Sequence, residues 1–206
     1  MSKTICLIGY SGHAYVAFDC FFSQGQIVSA YADISENKLN PFSLKYIGDE
    51  KNDPVITELK NYDYFVSVGD NALRKNISEN LLSKLGAPVS ALHKSSIISR
   101  NIQCGDGIMF GPRIIINSLV EIGNGVILNS GCIVEHECKI GNFSHIAPGA
   151  VLCGNVTVGD GTLIGANAVV KQGIKIGNNV IIGAGAVVLN DVPDNCIFAG
   201  NPAKKM

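Results

Sequence analysis

The chain has 206 residues, a formal net charge of −1, no tryptophan and only 7% aromatic residues. That length allows one large domain or two modest ones, and the aliphatic bias suits a core of stacked Val, Ile, Leu and Ala. The balanced charge, without a long basic run, argues against a nucleic-acid partner, and no stretch approaches the ~18 apolar residues that insertion into a membrane requires.

The N-terminus, MSKTICLIGYSGH, carries a short apolar run that flows into a glycine turn. It reads as a strand over residues 3–9 rather than as a signal peptide. Tyr10–His13 is expected to be a turn, followed by a helix from Ala14 that ends at Gly25. Residues 26–33 and 62–69 read as further strands, and residues 71–86 as a second helix; no element is assigned between Asp33 and Tyr62. Strands alternating with helices imply a small parallel sheet over residues 1–92, a Rossmann-like α/β domain.

In such sheets ligands sit beyond the carboxyl ends of the strands. Ser11-Gly12-His13, Asp33 and Gly69-Asp70-Asn71 fall there. The first and third open helices, whose free N–H groups favour phosphate, and a carboxylate about twenty residues past Gly12 can meet ribose hydroxyls. The dinucleotide glycine fingerprint is incomplete and the domain is half a dinucleotide fold. A mononucleotide, carried on a sugar, is therefore favoured over NAD, with a plain tight turn as the alternative.

From Leu92 the sequence changes grammar. Every sixth residue from Leu92 to Val188 is apolar, and the residue two before each is small or β-branched. Glycine follows many of these anchors, as at Gly105, Gly111, Gly123, Gly141, Gly159, Gly165, Gly177 and Gly183. A short strand alternates its side chains, so an anchor and the residue two before it point inward together. Glycine after the anchor is expected to give the corner its backbone freedom. Three strands and three corners close an eighteen-residue triangular coil, and many coils must stack to bury the interior. Residues 93–206 are expected to form this solenoid; a sandwich of short strands is the alternative.

Seven cysteines, an odd number without a CxxC pair, argue against a disulfide framework and a cysteine zinc site. Reduced thiols in a cytoplasmic protein fit best. The four histidines do not cluster at metal-site spacing, so no metal is expected. His136 lies two residues past the anchor Val134, on an outward corner between Glu135 and Glu137. An imidazole there can take a proton from an attacking amine or hydroxyl, with either glutamate fixing its tautomer. One coil later stands Gly154, which leaves room for an acyl group and offers a backbone N–H as an oxyanion donor. His145 also faces outward, half a coil from His136, so a site using both would need a second subunit. A solvated surface His–Glu pair is the plain alternative.

Three stretches carry a resemblance: LIGYSGHAYV (7–16), VILNSGCIVEHECKIGNFSHIAPGA (126–150) and IFAGNPAKKM (197–206). Together they resemble bacterial sugar acetyltransferases of the sialic acid O-acetyltransferase type, and more closely the UDP-4-amino-sugar N-acetyltransferase of bacillosamine biosynthesis. The Glu-His-Glu-Cys run followed by Phe-Ser-His is specific, whereas the repeat and the tail occur in many hexapeptide acyltransferases. The resemblance implies a left-handed parallel β-helix, acetyl-CoA as co-substrate, and a homotrimer with CoA between adjacent prisms. It implies His136 as general base and Glu137 as its partner, and Asn129 positioning the sugar. His145, Gly154, Ala166 and Ala184 would meet acetyl-CoA. Ser11, Gly12, His13, Asp33 and Gly69 would hold the UDP part of a nucleotide-linked amino sugar. Tyr10 stands where relatives often show a small residue. The expected reaction is direct acetyl transfer to the 4-amino group of a 4-amino-4,6-dideoxy sugar. O-acetylation of a sialic acid or related sugar, and a non-catalytic solenoid or sugar-nucleotide-binding module, are the competing expectations.

Overall fold

The structure, a computed structural model, describes residues 3–206. Its first part is a four-stranded parallel sheet made of β1 (Ile5–Ile8), β2 (Val28–Ala32), β3 (Lys45–Tyr46) and β4 (Asp63–Val66), in the order β3-β2-β1-β4. The helices are α1 (Gly12–Ser23), α2 (Asp53–Leu59) and α3 (Asn71–Leu85). Strand order reverses between β1 and β4, so the loops after these two strands flank the crevice where such sheets take ligands.

Three local features differ from the sequence expectation. Ser11, not a later residue, is the N-cap of α1; its carbonyl accepts from the N–H groups of Ala14 and Tyr15, at 2.8 and 3.3 Å. Gly12 and His13 are therefore the first turn of the helix rather than part of a preceding turn. The sequence reading also missed β3 and α2. A two-residue strand leaves no periodicity to detect, but α2 carried a legible start signal in Asn52 with Pro54 in the first turn.

The second part is a left-handed parallel β-helix whose strands stack every eighteen residues into three sheets. All fourteen anchors from Phe110 to Val188 are buried, as are the residues two before them. Cys104 departs from the inward expectation and is exposed, because its strand is the open edge of the five-stranded sheet and no earlier coil covers it. The glycines after the anchors also act differently from the expectation. A Cβ on Gly111, Gly123, Gly141, Gly159, Gly165 or Gly177 would lie 2.5–2.8 Å from backbone atoms of the next coil. They permit close stacking. The left-handed backbone falls two residues later, at every repeat from Gly107 to Gly185, and is held by Gly, Asn or, less comfortably, Arg113, Leu119, Glu137 and Phe143.

The three prism faces differ outward. One presents Gln103, Glu121, Lys139, Thr157 and Lys175 and is polar. A second presents Ile97, Ile115, Ile133, Val151, Val169 and Val187 and is apolar without a cover in the single chain. The third is docked under the N-terminal sheet. Met109 and Ile127 on this face are buried against Tyr10, Ala14, Ala17, Cys20 and Phe21, so α1 is packed between sheet and prism. Beyond His145 the docked face emerges, leaving Ile181 and Ile197 exposed. Among the described residues no helix is long and apolar enough to cross a membrane.

These contrasting glycine roles predict contrasting substitutions. Gly159→Ala should destabilise by about 1–3 kcal/mol through backbone overpacking. Gly173→Asn, at φ +75° in open space, should stay within about 0.5 kcal/mol of wild type. Urea unfolding midpoints of the two variants test this.

Candidate functional site

Two groups of polar side chains lie on different corners of the prism. The first is on the corner between the apolar and polar faces. His136 stands there, exposed, with Nδ1 3.0 Å from Glu137 Oε2. A carboxylate only accepts, so Nδ1 carries the proton and the Nε2 lone pair is free. Glu135 is occupied elsewhere, accepting from Asn117 Nδ2 at 2.7 Å. Of the two flanking glutamates, Glu137 is therefore the one on the imidazole. Glu137 is held at φ +61°, where glycine and asparagine are the usual occupants. Gly154 lies one coil on; a Cβ there would come within 2.6 Å of His136 Cε1 and 2.7 Å of Nε2. The missing side chain is what gives the ring its place.

The second group lies where the docked face meets the N-terminal sheet. His145 points out of the prism but is only 9% exposed, because His13 covers it; the ring centroids are 5.3 Å apart in an edge-to-face arrangement. Asn129 Oδ1 accepts from Ser130 N–H at 2.8 Å, which turns its amide NH₂ toward His145 Nε2, 3.1 Å away. His145 Nε2 is thus an acceptor. Burial, with His13 and Arg74 nearby, pushes the His145 pKa down to about 3. Burial also lowers that of His13. His13 Nδ1 is buried without a hydrogen-bond partner, and its ring rests against Gly69 where any side chain would collide.

Asp33 sits beside these loops, but its carboxylate is already engaged. Oδ2 accepts from Tyr10 N–H at 2.9 Å and Asn37 Nδ2 at 3.2 Å, and Oδ1 accepts from Ile34 N–H at 2.7 Å. Tyr10 does not intrude on the crevice. Its ring is buried on Tyr31, with centroids 4.1 Å apart, and its hydroxyl donates to Asn40 Oδ1 at 2.8 Å. Ser11 and Gly12 are exposed at the start of α1. Ala166 and Ala184 line the corner between the docked and apolar faces, the corner that also carries Asn129. A cleft of about 580 Å³ opens between the first turn of α3 and the emerging docked face, lined by Gly69, Asp70, Asn71, His145, Leu163 and Ile181 among others.

The structure thus gathers His13, Gly69, Asn129 and His145 in one place, and His136, Glu137 and Gly154 in another. Within a single chain the two groups do not meet. Sequence reading missed Arg74, which is buried at 1% exposure in the first turn of α3. Its sequence context, followed by Lys75, reads as a solvated helix face and gives no signal of burial. No group of three or more metal-ligating side chains occurs among the described residues.

The chain is similar to known proteins along nearly its whole length. Residues 4–81 match the PglD N-terminal domain, and residues 119–154 and 155–190 match the bacterial transferase hexapeptide family of six repeats. PerB from Caulobacter crescentus, solved with CoA and GDP-perosamine, is 31% identical over 98% of this chain and 97% of its own, with a TM-score of 0.92. The acetyltransferase domain of PglB from Neisseria gonorrhoeae, solved with acetyl coenzyme A, is 29% identical over the whole of both chains, with a TM-score of 0.93. WeeI from Acinetobacter baumannii is 25% identical over 98% of this chain and 99% of its own, with a TM-score of 0.81.

The buried imidazoles make stability pH-dependent. Below about pH 6.5 the unfolded chain binds protons that folded His145 and His13 refuse. Their stabilising contribution is complete above that pH and is lost as pH falls, for His145 toward about 3, by at most about 1.4 kcal/mol per pH unit for each group. His145→Gln should therefore lose less Tm than wild type between pH 6.5 and 5. Parallel melting curves would contradict the assignment.

Proposed function

The chain belongs to the hexapeptide-repeat sugar N-acetyltransferases with a PglD N-terminal domain, and from that premise we propose that it transfers the acetyl group of acetyl-CoA to the 4-amino group of a nucleotide-linked 4-amino-4,6-dideoxy sugar. The proposed nucleotide is UDP, with residues 1–92 holding the acceptor and residues 93–206 carrying acetyl-CoA and the chemistry.

The observation that carries this reading is the His136–Glu137 pair facing the space left by Gly154. The acceptor nitrogen attacks the thioester carbonyl, forming the C–N bond, and gives its proton to His136 Nε2. The tetrahedral oxygen would be met by the Gly154 N–H, which donates to no protein acceptor among the described residues. Collapse breaks the C–S bond, and the CoA sulfur leaves with the proton returned by His136. Glu137 holds the tautomer and stabilises the imidazolium. The cysteines stay out of the reaction: Cys138 points inward, and burial pushes its thiol up to about 11.

The assembly we propose is a homotrimer closed by the apolar faces. Those faces would otherwise leave Ile97 and Val169 in water. The apolar face lies between the two functional corners. Closing three such faces about one axis sets the Asn129–Ala166–Ala184 corner of one subunit beside the His136–Gly154 corner of the next. The cleft between prisms then takes the pantetheine arm, and Ser11, Gly12, His13 and Gly69 meet the nucleotide. Asp33 acts by holding the Tyr10 and Ile34 backbone that faces it.

The test mixes purified protein with acetyl-CoA and a panel of UDP-, GDP- and dTDP-linked 4-amino sugars plus free sialic acid, following CoA release with a thiol reagent. Release with the UDP amino sugar, reduced about 10²–10⁴-fold in His136→Ala, is the expected result. Release with the GDP or dTDP sugar alone would overturn the nucleotide, and release with sialic acid alone would overturn N-acetylation.

A further inference from the structure

We infer that Arg74 is a positioning residue that sets the gap between the acceptor-binding loop and the prism histidine; the inference rests on the acyl-transfer reading above. The guanidinium has five N–H donors, and all five are used within the chain. Nε donates to the Gly125 carbonyl at 2.7 Å and Nη2 to the Phe143 carbonyl at 2.8 Å. Nη1 donates to the Val68 and Gly69 carbonyls, both at 3.0 Å. The remaining Nη2 donor reaches Asn71 Oδ1 at 2.8 Å, and Asn71 Nδ2 in turn donates to the Gly161 carbonyl at 3.0 Å.

Gly125, Phe143 and Gly161 are successive members of one corner, one coil apart, at φ +62°, +55° and +66°. Their left-handed backbone turns the carbonyls out of the strand ladders, where no other protein donor among the described residues meets them. Arg74 and Asn71 therefore grip three consecutive coils from one turn of α3. A helix that slid by one coil along the prism would find the same ladder of carbonyls. It would, however, draw Gly69 away from the His13 ring, which covers His145.

The other end of the guanidinium holds the loop on which the acceptor site is built. Gly69 supports the His13 ring, His13 covers His145, and His145 follows Phe143 by two residues. Arg74 thus closes a ring of contacts running through Gly69, His13, His145 and Phe143. Nothing acidic pairs with it inside the cluster; Asp70 is the nearby carboxylate that favours its charge. Carbonyl oxygens on two separate parts of the chain satisfy it instead. That arrangement needs a planar fork, and an ammonium on a flexible stem cannot reproduce it.

A displacement of about 1 Å at such a loop is enough to cost orders of magnitude in rate. The test compares wild type with Arg74→Lys and the milder Asn71→Ala, measuring KM for the nucleotide amino sugar, KM for acetyl-CoA, kcat, and amide hydrogen exchange over residues 67–72. The expected result for Arg74→Lys is an acceptor KM raised about tenfold or more, an acetyl-CoA KM within about twofold, and faster exchange in the loop. Asn71→Ala should move the same quantities in the same direction by a smaller factor. A purely structural role would lower Tm and the active fraction with both KM values unchanged, and that result overturns the inference. The exchange measurement needs no turnover. If wild type acetylates no acceptor while the loop still loosens in Arg74→Lys, the acyl-transfer reading falls and the positioning role stands. An unchanged loop overturns it.

Discussion

Close stacking of eighteen-residue coils is the constraint on which the rest of the molecule depends. Each backbone segment lies directly against the one a coil away, close enough that a single Cβ at Gly159 would strike the Gly177–Asn178 peptide. Register therefore cannot slip by one residue without inserting side chains where backbone must pass. The same spacing orders the corner between the polar and docked faces. There Asn124, Asn142, Asp160, Asn178 and Asp194 each accept from a backbone N–H of the preceding coil at 2.7–2.9 Å. A chain bound to this period places its functional groups with it. Gly154 meets His136 because they are one coil apart, and the carbonyls gripped by Arg74 and Asn71 form a row for the same reason.

The prism alone does not make the candidate site. Its docked face is completed by α1, and the buried cluster of His13, His145 and Asn129 exists only where sheet and prism meet. Burying two imidazoles and a guanidinium at one junction is costly unless their donors and acceptors are matched. Arg74 satisfies all five donors, and Asn129 is oriented by Ser130. Among the described residues the unmatched buried side-chain atom is His13 Nδ1, on the ring that rests against Gly69. Glu137 shows a second form of cost: a charged residue occupies a left-handed corner that Asn or Gly fills on most other coils. Strain of about 1 kcal/mol or more at such positions persists where the surroundings impose it, and here the strained residue is the one bonded to His136.

The sequence made the prism legible because its period is strict and its anchors are buried almost without exception. The misreadings arose where the period says nothing. Cys104 sits at the right interval, but interval does not report that a coil has no neighbour beneath it. Glycine after an anchor suggests backbone freedom, whereas the stacking distance shows that its lack of a Cβ is the requirement. His136 and Gly154 could be paired by counting. Arg74 could not, because its partners are carbonyl groups, which every residue carries and no sequence distinguishes. His145 was legible as outward-facing, but its burial depends on a helix more than a hundred residues earlier.

In the proposed assembly one active site draws His136 from one subunit and His145 from the next. Subunit mixing tests it directly. His136→Ala and His145→Ala, each impaired as a pure assembly, are co-expressed in equal amounts with different tags, and the mixed oligomers are isolated and assayed for acetyl transfer. In a trimer that carries both variants, one interface in three has both intact histidines, so activity should be restored to about a third of the wild-type rate. Mixed oligomers no more active than either parent would show that the two histidines do not serve one shared site, and would contradict it.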